Sequence, residues 1–111
     1  MSQNKKLYEL HADMCKVLAH AKRIELIYLL QEKEMHVDEL AAEMGVSKAN
    51  VSQHLAKLRE KGVVCRRKEG LKAYYQICNP KLIKACELMK EIMLERYAEF
   101  ADFSEQVNTK K

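Results

Sequence analysis

A chain of 111 residues with a formal charge of +4, 48% hydrophobic and 32% charged, is long enough for one domain with a modest core that oligomerisation would help to complete. Three glycines and one proline exclude collagen-like and low-complexity classes and point to a mostly helical soluble protein. No apolar run approaches the roughly 18 residues that span a bilayer, and "MSQNKKLYEL" has no signal-peptide core, so a cytoplasmic protein without membrane contact is expected.

In chain order, Leu7, Leu10, Met14, Val17 and Leu18 recur at helical spacing and predict a first amphipathic helix over about 5–18. Ile24, Ile27, Tyr28 and Leu30, with Leu26 and Leu29 widening the stripe, predict a second over 22–31. "HVDELAAEMG" reads as a third: Asp38 or Val37 is its expected cap, Leu40, Ala41 and Met44 face inward, and Gly45 ends it. Ser47 suits the N-cap of a fourth helix, from 48 to about 61, which Gly62 terminates. Two helices joined by only "GVS" form a helix-turn-helix over about 37–61.

After Gly62 the period changes to that of strands. "VVCRRK" and "AYYQI" are β-prone, and Glu69-Gly70 offers a hairpin turn, giving a wing over about 63–78. Asn79-Pro80 reads as N-cap and first residue of a last helix over about 80–103. That helix carries Leu82, Cys86, Met89, Met93, Tyr97 and Phe100 on one stripe, with Ile83, Ala85, Leu88 and Ile92 beside it, too wide for one small domain to cover. The first helix has a similar surplus, so the two are expected to pack about a two-fold axis in a homodimer. The tail "SEQVNTKK" is polar and expected to fray. The fold class is therefore mostly α with a small β-hairpin wing, a single winged helix-turn-helix domain over 1–111, without repeats or linkers.

Between Ser47 and Lys72 lie eight basic side chains (Lys48, Lys57, Arg59, Lys61, Arg66, Arg67, Lys68, Lys72) against Glu60 and Glu69, which leaves the rest of the chain slightly acidic. Such a segment is a footprint for a polyanion. On the fourth helix Val51, Leu55 and Leu58 bury, so Lys48, Ala49, Ser52, Gln53 and Ala56 face out. Small and amide side chains let a helix backbone approach base edges in the major groove, where glutamine pairs with adenine and lysine reaches guanine or phosphate. An ordinary surface helix would instead carry Glu and Lys four apart, and would gain little from serine and asparagine. The expected DNA contacts are Ser47, Lys48, Asn50, Ser52, Gln53, His54 and Lys57 on the helix and Arg66, Arg67, Lys68 and Lys72 on the wing, where they would neutralise phosphates or enter the minor groove. His54 borders the buried stripe and is equally suited to orienting the backbone.

The four cysteines (Cys15, Cys65, Cys78, Cys86) form no CxxC pair and in a reducing compartment are expected to be thiols. Cys15 and Cys86 read first as small apolar core residues, which is how free cysteine usually behaves, with a thiol switch or thiolate metalloid site as the alternative.

"VLAHAKRIELIYLL", "VDELAAEMGVSKANVSQHLAKLREKGVV" and "RRKEGLKAYYQI" together resemble the ArsR/SmtB family of dimeric winged-helix repressors, over roughly 14–77. The resemblance implies a switch in which a dimer holds an inverted-repeat operator until a metal, metalloid or reactive small molecule alters it. Metal-responsive relatives carry two cysteines where "EMHVDEL" has His36 and Asp38, so the soft thiolate pair is missing, and only His36, Asp38 and His11 remain as harder candidate ligands. The zinc site of the last helix has no histidine here, and the second-helix cysteine of persulfide and oxidant sensors is replaced by Tyr28. No metal site and no cofactor are therefore expected. No phosphate loop, HExxH or Ser/His/Asp set suggests an enzyme. The competing reading is a winged helix used for protein or RNA contacts; the expected partners are operator DNA, a second copy of the chain and a small inducer.

Overall fold

The computed structural model describes residues 2–98. Five helices and three strands follow one another as α1 (Ser2–Leu18), α2 (Ala21–Glu32), β1 (Met35–His36), α3 (Val37–Met44), α4 (Lys48–Glu60), β2 (Val64–Glu69), β3 (Lys72–Ile77) and α5 (Pro80–Tyr97). They divide into two compact units, 1–79 and a second beginning at Pro80.

In the first unit, local chemistry sets each helix boundary. His20 caps α2, its Nδ1 accepting from the Lys22 backbone N–H at 3.2 Å. The cap of α3 is His36, in extended conformation, rather than Asp38 or Val37: its N–H donates to Glu39 Oε1 at 3.1 Å. His36 is fixed there because it also belongs to β1, which pairs with β3 through Met35↔Tyr75 and His36↔Tyr74. Gly45 ends α3 in the left-handed region at φ 67°, where a Cβ would be strained, and its N–H closes on the Ala41 carbonyl. Ser47 then caps α4, its Oγ accepting from the Asn50 N–H at 3.1 Å.

The core is assembled from single faces of these elements. Leu26 and Ile27 of α2, Leu40 of α3, Val51, Leu55 and Leu58 of α4 and Val64 of β2 are completely enclosed. Leu30, Met35, Val63 and Tyr75 extend this cluster. Removing each such side chain from water contributes about 1.5–3 kcal/mol, which makes the orientation of α4 a property of the core rather than of its own weak helix propensity.

The sheet has the order β1-β3-β2 and is antiparallel throughout. The wing is therefore the outer hairpin of a three-stranded sheet, and β1 is invisible to sequence reading because two residues carry no readable period. Glu69 pairs with Lys72, so the turn is Gly70-Leu71, one residue later than expected, with Gly70 at φ 65° in the first connecting position. Cys65 and Cys78 are joined by a disulfide, which corrects the expectation of four thiols. The hairpin register explains it. Cys65 stands opposite Gln76 and Cys78 lies two residues further along the same face, with Cα atoms 5.2 Å apart, although 13 positions separate them in sequence.

The second unit is described by α5 alone. Its apolar side chains are largely open: Leu88, Met89, Ile92, Met93 and Tyr97 are exposed. Phe100, the remainder of the helix expected to 103 and the polar tail lie outside the described residues.

Candidate nucleic-acid interface

Helix α4 is positioned from beneath by its buried face and from its N-terminus by the Gly45 turn and the Ser47 cap. What is left facing outward is Ser47, Lys48, Ala49, Ser52, Gln53, Ala56, Lys57 and Arg59, with Glu60 at the C-terminal end, all exposed. No acidic residue occupies the first turn of α4. Asn50 is half-buried, and its Oδ1 is enclosed without a hydrogen-bond partner. Lys48 reaches back to Asp38 at 3.2 Å, an exposed ion pair that water screens.

His54 is not on this outward face. It is buried on the α2 side, where Arg23 Nε donates to its Nδ1 at 3.2 Å and the His20 ring lies 4.5 Å away. Burial pushes His54 below the ordinary 6.5, and His20, Arg23 and Lys22 push it the same way. A neutral ring accepting from Arg23 is the arrangement this produces. Arg23 also donates through Nη1 to the Val17 carbonyl at 3.0 Å, so one guanidinium ties the end of α1 to the recognition helix. Sequence reasoning missed Arg23, because its partner lies 31 residues away and no local pattern announces it.

On the wing, Arg66, Lys68 and Lys72 are exposed. Arg67 is placed differently. It is hydrogen-bonded to Glu34 and, at 2.9 Å, to Glu69, and its guanidinium lies 4.9 Å from the centre of the Tyr74 ring. The Arg67 hydrogen bonds hold Glu34 below the ordinary carboxylate range, and Glu34 and Glu69 in turn raise Arg67. Leu71 at the tip is entirely exposed.

The remaining candidates do not assemble. His36 sits edge-on to Tyr74 and Asp38 faces Lys48, while His11 is exposed on α1. Among the described residues no three histidine, cysteine or acidic side chains come close enough to hold a metal ion. Cys15 is an exposed thiol, and burial raises the half-buried Cys86 above its ordinary value.

Two helices locked through a glycine turn, followed by a cationic hairpin paired into a small sheet, define a winged helix-turn-helix protein. The family model described as "Bacterial regulatory protein, arsR family" matches residues 20–65. The HTH-type transcriptional regulator Rv0081 of Mycobacterium tuberculosis is 34% identical over 92 residues, 82% of this chain and 81% of that one. Its crystal structure matches with a TM-score of 0.79 at 32% identity, covering 86% of this chain and 96% of that one. The transcriptional repressor PagR of Bacillus anthracis is 34% identical over 82 residues, 73% of this chain and 82% of that one. The homodimeric winged helix-turn-helix DNA-binding domain of Mb0332 from Mycobacterium bovis matches with a TM-score of 0.82 at 25% identity, covering 89% of this chain and 92% of that one. The chain belongs to the ArsR family and is a DNA-binding transcriptional regulator. No helix among its described residues is long and apolar enough to cross a membrane.

Proposed function

We propose that the protein is a cytoplasmic, non-enzymatic repressor that binds an inverted-repeat operator as a homodimer and is released by a small inducer. The observation that carries this reading is the outward face of α4, where Ser52, Gln53 and Lys57 are exposed beside a hairpin bearing Arg66, Lys68 and Lys72. In this reading Gln53 and Ser52 address base edges, Ser47, Lys48 and Asn50 secure the start of the helix against the backbone, and Lys57 and the wing cations neutralise phosphates. His54 is a positioning residue, buried against Arg23, and Arg67, though exposed, is a positioning residue through its pairing with Glu34 and Glu69 on the protein surface. The open apolar faces of α1 and α5 suit a two-fold interface, with Leu7, Tyr8 and Leu10 exposed on the one and Leu88, Met89 and Ile92 on the other. The homodimeric Mb0332 domain and the repressor PagR, both similar to this chain, support the same choice.

A two-fold dimer would place two α4 helices about 34 Å apart, in successive major grooves on one side of the duplex. The test is selection of bound sites from a randomised duplex pool, followed by affinity measurements with a Ser52→Ala/Gln53→Ala variant. An inverted repeat should emerge, and the variant should lose about 10- to 100-fold in preference for it over unrelated DNA while its weak general binding persists. Unchanged preference, or selection of no common sequence, would overturn the reading in favour of a protein- or RNA-binding module.

A further inference from the structure

The disulfide occupies the foot of the wing, the element that supplies most of the cations assigned to phosphates. Cys65 is the second residue of β2, and Cys78 follows β3 directly, its N–H donating to the Val63 carbonyl at 3.1 Å. The bond thus encloses Arg66, Lys68, the Gly70-Leu71 turn and Lys72 in one covalent loop. Both cysteines are half-buried, at the margin of the core rather than within it.

The fold does not depend on this bond to form the hairpin. Six residue pairs register β2 against β3, β1 flanks β3 on the other side, and Val63 and Val64 anchor the foot in the core. A crosslink across 13 positions adds to the stability of the fold by restricting the unfolded chain, and in the native hairpin it limits how far the two ends can part. The strand pairing that sets Cys65 opposite Gln76 brings Cys78, two residues further on, to its side of the hairpin, and the two Cα atoms lie 5.2 Å apart, within bonding reach. That combination, a pair within bonding reach at the half-buried foot of a functional element, is what a reversible thiol site requires.

We infer that Cys65 and Cys78 form a reversible dithiol/disulfide site, closed by a low-molecular-weight disulfide of the glutathione class, and that closure raises the affinity of the wing for DNA. The inference rests on the operator-binding reading above. Chemically, one protein thiolate attacks the small disulfide and expels one small thiol, leaving a mixed disulfide; the second protein thiolate then attacks the protein sulfur of that bond and expels the other. Two protein thiols are oxidised to one disulfide, the small disulfide is reduced to two thiols, and the two protons pass to them. With the bond closed, the foot of the hairpin cannot open, and Arg66, Lys68 and Lys72 are held ready for the phosphates at lower ordering cost. Because the wing supplies charge rather than base recognition, closure acts on every duplex alike.

The experiment uses the full chain carrying Cys15→Ser and Cys86→Ser, equilibrated without oxygen in glutathione/glutathione disulfide mixtures, then alkylated and weighed by mass spectrometry. Aliquots are titrated in parallel onto the selected operator and onto an unrelated duplex. The expected result is a single two-thiol transition within the accessible range of mixtures, with the closed form binding both duplexes about 3- to 10-fold more tightly and with unchanged preference between them. Cys65→Ser in the same background should bind like the reduced form in every mixture. A pair that stays fully open or fully closed across all mixtures, equal affinities of the two forms, or an altered base preference would overturn the inference. The wild-type chain, reduced and oxidised, repeats the comparison without substitution, should a variant fold poorly. Failure of both forms to bind any duplex would overturn the operator reading and the affinity effect together, while the alkylation series still decides separately whether the pair is reversible.

Discussion

Arg23 of α2 donates from Nε to Nδ1 of His54 on α4, 3.2 Å apart, a part-buried polar link between the scaffold and the recognition helix. The bond requires a neutral acceptor. Protonating His54 would replace it with two facing cations, with Lys22 and His20 adding to the repulsion.

The sign of the pH dependence follows. Because the folded state holds His54 below its ordinary 6.5, the unfolded chain binds more protons in the window between the two values. Stability from this group is complete above the unfolded value and is lost as pH falls through the lowered folded one. We expect the unfolding free energy from urea titrations to drop as pH falls below about 6.5, by no more than about 1.4 kcal/mol per pH unit from this one group. His54→Asn keeps an acceptor near the Nδ1 position and does not titrate, so it should flatten this part of the profile. A wild-type and variant pair with parallel pH profiles would remove His54 from the account.

Arg66 and Arg67 are neighbours in sequence with opposite employment. Both are exposed, but Arg67 is paired with Glu34 and Glu69 and lies over the Tyr74 ring. Arg66→Ala should weaken binding to all duplexes and lower the slope of log K against log salt by about 0.9, the change expected when one phosphate is no longer neutralised. Arg67→Ala should change that slope distinctly less, and Glu34→Gln, which frees the guanidinium, should leave it equal or steeper. Equal losses at Arg66 and Arg67 in anisotropy titrations would show that DNA displaces the carboxylates.

Ser47 has two separable tasks. Its Oγ caps α4 through the Asn50 N–H, and its position faces outward at the start of the recognition helix. Ser47→Ala should cost about 1 kcal/mol of stability together with DNA affinity. Ser47→Asp restores an equally good cap but brings a negative charge toward the phosphates. Thermal unfolding should therefore recover in Ser47→Asp while operator binding does not; recovery of both would confine Ser47 to the cap.

The contrast between what was legible in the chain and what was not runs along sequence separation. Gly45, Ser47, Val51, Leu55 and Leu58 act within a few residues of one another, so periodicity and capping rules located the helix-turn-helix and the outward set Ser52, Gln53 and Lys57. The relationships that reassign individual residues are long-range. Arg67 meets Glu34 across 33 positions, His54 meets Arg23 across 31, and Cys65 meets Cys78 only because the hairpin register aligns them. Charge counting places Arg67 with the other wing cations because it cannot see Glu34 and Glu69, with which Arg67 pairs. His54 illustrates the same limit: a polar residue bordering the apolar stripe reads equally as a DNA contact or as an orienting group, and only Arg23 supplies the partner that makes its burial tolerable.

The exposed stripe of α5 makes the last prediction. Met89, Ile92 and Met93 are 57%, 58% and 43% exposed, far more than apolar side chains of a finished interior, and Leu88 adds a further 56% beside them. A carboxylate introduced there costs little in a monomer, since it points into water, but would be buried opposite its own copy in a two-fold interface without a compensating partner. Ile92→Glu should consequently leave thermal unfolding of the first unit cooperative while shifting the sedimentation mass from dimer to monomer. Operator affinity should fall by about 100-fold or more, because one recognition helix then binds without the effective concentration its tethered partner provides. A variant that remains dimeric at micromolar concentration would show that the two-fold contact lies elsewhere, and the open face of α5 would then require a different occupant.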